Sequence, residues 1–364
     1  MAPPVRHIAT EFAPDPAAIV RLGAAIASAR RPVFVVGPEI DRSFCVDAMI
    51  AVAERARAAV WASPMSSRSS FPELHPRFAG FLPAAPGGLA RALRDADLIV
   101  VIGAPVFTFH VEGQCELLDD GTPVWQITDD PTEAASAAVG DTIISTLPKA
   151  LVALQAALPA VAKREMPAAR TRPAAPAAQN PIPPTYALSR LSALMPRDAI
   201  VVEEAPSHRP AIQQFLPRPG ADSFYTMASG GLGYSLPASV GVALARPGRR
   251  IVALIGDGSA MYCIQAIWTA AQRQLPITFV IMNNSGYGAM RAFSRLMQAH
   301  HPPGIDLPGL DFVALARGMG CAGQRLTDAG DVDRILSEAL ASRGPALVEI
   351  AVDDATTDLF SHSR

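Results

Sequence analysis

Short apolar runs rich in valine and isoleucine alternate along this chain with segments whose apolar positions recur every three to four residues. The first half reads as a helix over residues 15–30, a strand over 33–36 closed by Gly37-Pro38, a helix over 46–58 and a short strand at 60–62. A helix over 87–95, strands over 98–102 and 124–128, and a helix over 148–158 complete it; the proline at 148 is tolerable in a first turn. Strands that alternate with helices predict a parallel, doubly wound sheet.

Residues 162–184 interrupt the pattern. Proline and alanine dominate there and no apolar period survives, which predicts an extended linker. The alternation then resumes: a helix over 186–195, a strand over 199–203, a loop over 204–210, and a short run at 224–227. A glycine loop, Ser229-Gly230-Gly231-Leu232-Gly233-Tyr234, leads into a helix ending near 244. Helices over 312–319 and 331–341 and a strand over 346–352 close the second half. The expected fold class is α/β, with two doubly wound parallel-sheet domains at 15–161 and 185–364. Residues 1–14 read as a linker-like N-terminus.

One βαβ unit concentrates polar chemistry. Apolar runs at 251–255 and 277–282 flank a helix-like segment, and each ends in small polar residues: Gly256-Asp257-Gly258-Ser259 and Asn283-Asn284-Ser285-Gly286. Ligands bind outside the carboxyl ends of such parallel strands. Asp257 offers a charged oxygen, Asn284 a neutral one and a carbonyl near Gly286 a third, a set suited to Mg²⁺ carrying a phosphate group. Ser259 and the first N–H groups of the following helix can face the anion, and the glycines let backbone approach it. The alternative at this level is that Asp257 caps a helix and Asn284 sits in a turn.

A formal net charge of −2 gives no footprint for nucleic acid or an anionic membrane, and no apolar run approaches transmembrane length. The four cysteines, Cys45, Cys115, Cys263 and Cys321, are widely spaced and form no CxxC, so they read as core residues of a reduced, cytoplasmic protein. The N-terminus lacks the apolar centre of a signal peptide. The first half has no GxGxxG fingerprint for a dinucleotide.

The spacing Gly256-Asp257-Gly258, 24 residues, Asn283-Asn284 matches the signature of thiamine-diphosphate-dependent enzymes. Further stretches carry the resemblance: Phe71-Pro72-Glu73-Leu74-His75-Pro76-Arg77-Phe78, Val101-Ile102-Gly103-Ala104-Pro105-Val106-Phe107, Gly230-Gly231-Leu232-Gly233, and Val280-Ile281-Met282-Asn283-Asn284 with Tyr287-Gly288. From residue 17 to 352 the chain resembles the middle and diphosphate-binding domains of the thiamine-diphosphate-dependent 2-oxoacid decarboxylase family, nearest the branch acting on benzoylformate. The resemblance implies that Asp257, Asn284 and Gly286 hold Mg²⁺, and that Gly256, Gly258, Ser259, Ser207, Gly231, Leu232 and Tyr287 contact thiamine diphosphate. Leu232 matches the bulky apolar residue beneath the cofactor that bends its two rings toward each other. His110 matches an active-site proton relay, a task suited to a group that titrates near neutrality. Ala289 and Phe293 match positions lining the substrate pocket. His75, His208, His300 and His301 read as ordinary core or loop histidines.

Two departures stand out. Ala205 and Pro206 replace hydroxyl residues that relatives place near the diphosphate, leaving Ser207 as donor, and Met261 replaces an asparagine. The resemblance also implies a carboxylate that protonates the aminopyrimidine, carried in the family by an N-terminal pyrimidine-binding domain that this sequence does not match. The expected function is therefore decarboxylation of an aryl 2-oxo acid by a homo- or hetero-oligomer that draws on a pyrimidine-binding subunit, or by a truncated form. The isolated chain is expected to be nearly inactive. Acetolactate-synthase-like carboligation, 2-hydroxyacyl-CoA lysis and a noncatalytic cofactor-binding or scaffolding subunit are the alternatives.

Overall fold

The computed structural model describes residues 8–110, 118, 121–159, 164, 170–299 and 302–353. The chain divides into two compact units, residues 1–66 with 75–170, and residues 67–74 with 171–364. Cys115, His300 and His301 lie outside the described residues.

In the first unit, β1 (Pro32–Val36), β2 (Ala59–Ala62), β3 (Phe78–Phe81), β4 (Leu98–Ile102), β5 (Val124–Thr128) and β6 (Asp141–Ile144) form one sheet in the order β3-β2-β1-β4-β5-β6. Every pairing is parallel. The strands β1, β4 and β5 are buried along their whole length, and β1 and β4 are accordingly continuous apolar runs, whereas β5 also buries Gln126, which donates to Ala104 O at 3.0 Å, and Thr128. The strands β3 and β6 lie at the two edges and were not legible from the apolar pattern.

The strand order reverses between β1 and β4, where an open α/β sheet of this kind keeps its ligand crevice. Here the crevice is filled. The Gly37 N–H donates to Ile102 O at 3.0 Å, and a Cβ on Gly37 would collide with the Gly103 carbonyl. Beyond it sits Glu39, 2% exposed, which accepts the Thr128 hydroxyl at 3.3 Å and pairs with Arg42 at 3.6 Å. Burial, and then the nearby Asp129 and Glu133 carboxylates, push the Glu39 carboxyl up to about 7. A folded-state pKa above the ordinary value means that the protonated form favours folding. The contribution is complete below about pH 4.5 and is lost as pH rises through about 7. The melting temperature of the first unit is therefore expected to fall by a few degrees, at least ~3 °C, between pH 5 and 8. Glu39→Gln should flatten that slope in a thermal melt series.

Composition placed residues 162–184 in a linker, but Arg164 is docked. Its guanidinium donates to Ile26 O at 2.7 Å and Ala29 O at 2.5 Å, and also to Ala56 O. These carbonyls end the helices Pro16–Ser28 and Val46–Ala56, where unpaired C=O groups and a partial negative charge favour a cation.

In the second unit, β7 (Ile200–Glu204), β8 (Phe224–Thr226), β9 (Ile251–Gly256), β10 (Ile277–Asn283), β11 (Ala322–Leu326) and β12 (Ala346–Ala351) form a parallel sheet ordered β11-β12-β10-β9-β7-β8. Val252, Leu254, Val280 and Met282 enter the core on one face; Ala253, Ile255, Phe279 and Ile281 enter the core on the other. Residues 67–74 belong to this unit through Thr226 N–H to Ser67 O (2.9 Å), Glu73 N–H to Arg218 O (3.1 Å) and Arg68 stacked 4.5 Å over the Tyr225 ring. The segment read as one helix after β9 is two, Asp257–Ala260 and Ala266–Gln272, and the segment read as a loop after β7 is a short 3₁₀ turn followed by the helix Arg209–Phe215. Among the described residues no helix is long and apolar enough to cross a membrane.

Candidate functional site

The strand order of the second unit reverses between β7 and β9, and the polar residues gather at the carboxyl ends of β7, β9 and β10. Gly256 pairs with Met282 in the register of β9 and β10, so Asp257 and the Asn283–Gly286 turn leave the sheet side by side. Asp257 is 3% exposed. Its Oδ1 accepts the Gly258 N–H and its Oδ2 the Gly286 N–H, both at 2.8 Å. Burial pushes this carboxyl above the ordinary carboxylate range, with the two backbone N–H groups acting in opposition.

Asn284 is buried beside it. The intervening Ser285 has φ +57, and its N–H is held by Asn283 Oδ1 at 2.9 Å. Arg291 closes the turn from outside: it donates to Asn284 O at 3.2 Å and Ser285 O at 2.9 Å, and pairs with Asp306 at 2.7 Å. Residues 305–307 run antiparallel to the turn through Tyr287 N–H to Ile305 O (2.8 Å) and Leu307 N–H to Ser285 O (3.1 Å).

The glycines of this cradle are needed for space. A Cβ at Gly258 would enter the Tyr287 ring, and one at Gly288 would stand 2.7 Å from Asn284 Nδ2 and 2.9 Å from Ser207 Oγ. Among the described residues no three His, Cys, Asp or Glu side chains gather as a metal cluster. The donors at this point are one carboxylate, one side-chain amide oxygen and backbone carbonyls. That set fits Mg²⁺ sharing its coordination with phosphate oxygens and water.

The β7 end supplies two further parts. Ser207 accepts the Ala289 N–H through Oγ at 2.9 Å, which ties the loop after β7 to the start of helix Gly288–Leu296. Glu204, 1% exposed, accepts the Gly233 N–H at 2.6 Å and the Ser235 N–H at 2.5 Å, so one carboxylate fixes the glycine loop that presents Leu232. Gly230 (φ +75) and Gly233 (φ +98) bracket Leu232, and a Cβ at Gly233 would press on Tyr262 at 3.1 Å. Leu232 itself is half-buried.

The second unit thus brings together Asp257, Asn284, Gly286, Gly256, Gly258, Ser259, Ser207, Tyr287 and Ala289 around the ends of β7, β9 and β10, with Gly231 and Leu232 on the glycine loop. Phe293 is 38% exposed on the helix Gly288–Leu296, on one side with the exposed Met290 and the C-cap Met297. His110 belongs to the first unit, where it is exposed and its N–H donates to Ala84 O at 2.9 Å. His208 is buried, and burial holds its imidazole down to about 4, neutral at any ordinary pH. Sequence reasoning missed Glu204, Arg291 and the Asn283–Glu349 contact (2.8 Å). The paired Glu203-Glu204 at the end of an apolar run was the one available signal.

Residues 19–154 match the family described as thiamine pyrophosphate enzyme, central domain, and residues 205–350 match thiamine pyrophosphate enzyme, C-terminal TPP binding domain. The chain belongs to the thiamine pyrophosphate enzyme family. It is 39% identical to the benzoylformate decarboxylase of Pseudomonas aeruginosa over 346 residues, covering 95% of this chain and 65% of that protein. Among solved structures, benzoylformate decarboxylase from Polynucleobacter necessarius superimposes with a TM-score of 0.93 at 33% identity, over 98% of this chain and 68% of the other. The 4-hydroxybenzoylformate decarboxylase of Rhodococcus jostii RHA1 gives 0.92 at 36% identity, over 97% and 67%. Acetolactate synthase isozyme 1 large subunit of Escherichia coli is 28% identical over 351 residues. This thiamine pyrophosphate enzyme chain therefore spans about two thirds of the length of the relatives it matches. The matches are to the middle and C-terminal domains that the resemblance implied, and the candidate site residues fall within the C-terminal match, His110 excepted.

Proposed function

We propose that this chain carries the diphosphate- and metal-binding half of a thiamine-diphosphate-dependent decarboxylase of an aryl 2-oxo acid such as benzoylformate. The observation that carries the reading is the meeting of Asp257, Asn284 and the Gly286 backbone at the adjoining ends of β9 and β10. On this reading Asp257, Asn284 and the Gly286 carbonyl hold Mg²⁺, and Ser207, Ser259 and the glycine-edged backbone receive the diphosphate. Bound thiamine diphosphate supplies the electron sink that accepts the pair released as CO₂ leaves. Leu232 supports the cofactor from the glycine loop, Ala289 and Phe293 bound the aryl pocket, and His110 moves a proton to and from the substrate-derived carbon. The surface that takes the aminopyrimidine comes from further polypeptide, either a partner subunit or more of the same chain.

Carboligation of the acetolactate-synthase kind, with a nucleotide in the middle domain, fits less well. The crevice between β1 and β4 holds a buried carboxyl, Glu39, with Asp129 and Glu133 beside it. Filled by these side chains, the crevice lacks the open glycine backbone with which such a sheet receives a pyrophosphate.

Calorimetric titration of the purified chain with thiamine diphosphate, with and without Mg²⁺, tests the reading. Mg²⁺-dependent binding is expected, and its absence would sink the proposal. CO₂ release from benzoylformate should be barely measurable for the chain alone and restored by a pyrimidine-binding subunit. Robust turnover without that subunit would remove the need for a second surface. In the complemented enzyme His110→Ala should lower turnover by about 10²–10⁴-fold with cofactor affinity unchanged.

A further inference from the structure

Behind the metal turn, and touching none of the proposed ligands, a buried carboxylate fixes the orientation of one amide. Glu349 on β12 is 1% exposed. Its Oε1 accepts Asn283 Nδ2 at 2.8 Å, and its Oε2 accepts Arg325 Nε at 3.0 Å from β11, the residue opposite Glu349 in the strand register. Arg325 continues to Asp311 at 3.6 Å. A carboxylate taken out of water is costly unless paired, and a leucine at this register would pack without that cost. The pair therefore needs a reason beyond filling β12.

Asn283 supplies the reason. A carboxylate only accepts hydrogen bonds, so Glu349 dictates which end of the Asn283 amide faces it: the NH₂. The carbonyl end must then point the other way, and there it accepts the Ser285 N–H at 2.9 Å. That bond closes the turn in which Ser285 takes φ +57, a conformation that serine adopts only when held. The turn in turn delivers the Asn284 side chain and brings the Gly286 N–H to Asp257 Oδ2 at 2.8 Å. An amide rotated by half a turn would oppose two N–H donors and release the turn.

We propose that Glu349, neutralised by Arg325, is a positioning residue for the metal–diphosphate turn: through Asn283 it sets where Asn284 and Gly286 meet Asp257. The inference rests on the cofactor site proposed above. Groups that orient metal ligands from behind are typically worth about 10–100-fold in metal affinity.

The test is a double-mutant cycle on the full chain, read by calorimetric titration with Mg²⁺ at saturating thiamine diphosphate and by the melting temperature without either. Glu349→Leu and Asn283→Ala should each weaken Mg²⁺ binding about 10–100-fold. The double variant should be no weaker than the worse single one, because both break one chain of contacts. Glu349→Gln, which can still turn an acceptor toward Asn283, should stay within about threefold of the parent. Additive losses, or a lowered metal-free melting temperature with unchanged affinity, would overturn the proposal and leave Glu349 a purely structural residue. If Glu349→Leu does not fold, the cycle between Arg325→Gln and Asn283→Ala carries the same decision on non-additivity. A parent chain that binds no Mg²⁺ with thiamine diphosphate overturns the underlying site as well, and so is distinguishable from failure of Glu349 alone.

Discussion

Replacing Asp257 by alanine should reduce Mg²⁺-dependent binding of thiamine diphosphate by at least about 100-fold while leaving the second unit folded. The two effects separate because Asp257 is costly in the free chain. It is buried to 3% exposure, and burial already pushes its carboxyl above the ordinary range. Alanine removes that cost and leaves the Gly258 and Gly286 N–H groups without their acceptor, a loss of about 1–3 kcal/mol each. The opposing terms keep the change in metal-free melting temperature small. Binding has no such compensation, since Asp257 is the one carboxylate among the proposed ligands and Mg²⁺ binds chiefly through carboxylate and phosphate oxygens. Calorimetry and thermal melting of the same samples check both halves. The variant also decides whether the chain is only a scaffold: in a complemented enzyme a scaffold would keep its partner's activity after Asp257→Ala, and the proposed reading requires that activity to disappear.

The second large effect belongs to Glu204. Its two oxygens hold the Gly233 and Ser235 N–H groups at 2.6 and 2.5 Å, on either side of the turn that follows Leu232. Bonds from a carboxylate to backbone N–H groups are stronger than neutral ones, roughly 1.5–3 kcal/mol each. Glu204→Ala removes both and leaves a loop with two positive-φ glycines free to spread. The expected result in the complemented enzyme is a fall in kcat of about 100-fold or more. On the proposed reading the affinity for thiamine diphosphate should change far less, because Asp257, Asn284 and Ser207 would hold the cofactor's other end. Glu204→Gln should recover only part of the loss, since an amide offers one acceptor to two donors. Equal losses in affinity and kcat would show that Glu204 serves the whole site rather than the support beneath the cofactor.

How much of this could be read in advance follows from burial. The strand β4 was legible to the residue, because five consecutive apolar side chains buried on both faces leave no other reading. The edge strands β6 and β11 were not: Asp141–Ile144 and Ala322–Leu326 keep several residues exposed and look like loop. The diphosphate motif was legible because its parts are close in sequence and its spacing is that of one helix between two strands. The supports were not. Glu204 reaches 29 residues to Gly233, and Asn283 reaches 66 residues to Glu349. No local pattern announces a partner that distant. Composition also misled at Arg164, where a proline- and alanine-rich neighbourhood hid a residue buried in the first unit.

That arginine has a practical side. Its guanidinium closes the last turns of two helices, and six residues on Arg170 lies over the rings of Phe78 and Phe81 at 5.9 and 5.3 Å. Anyone expressing the first unit by itself would, from composition, stop near residue 161. Such a fragment would lose the plug for the carbonyls of Ile26, Ala29 and Ala56 and uncover two aromatic faces, and it should be prone to aggregation. The boundary that respects the contacts falls after Arg170.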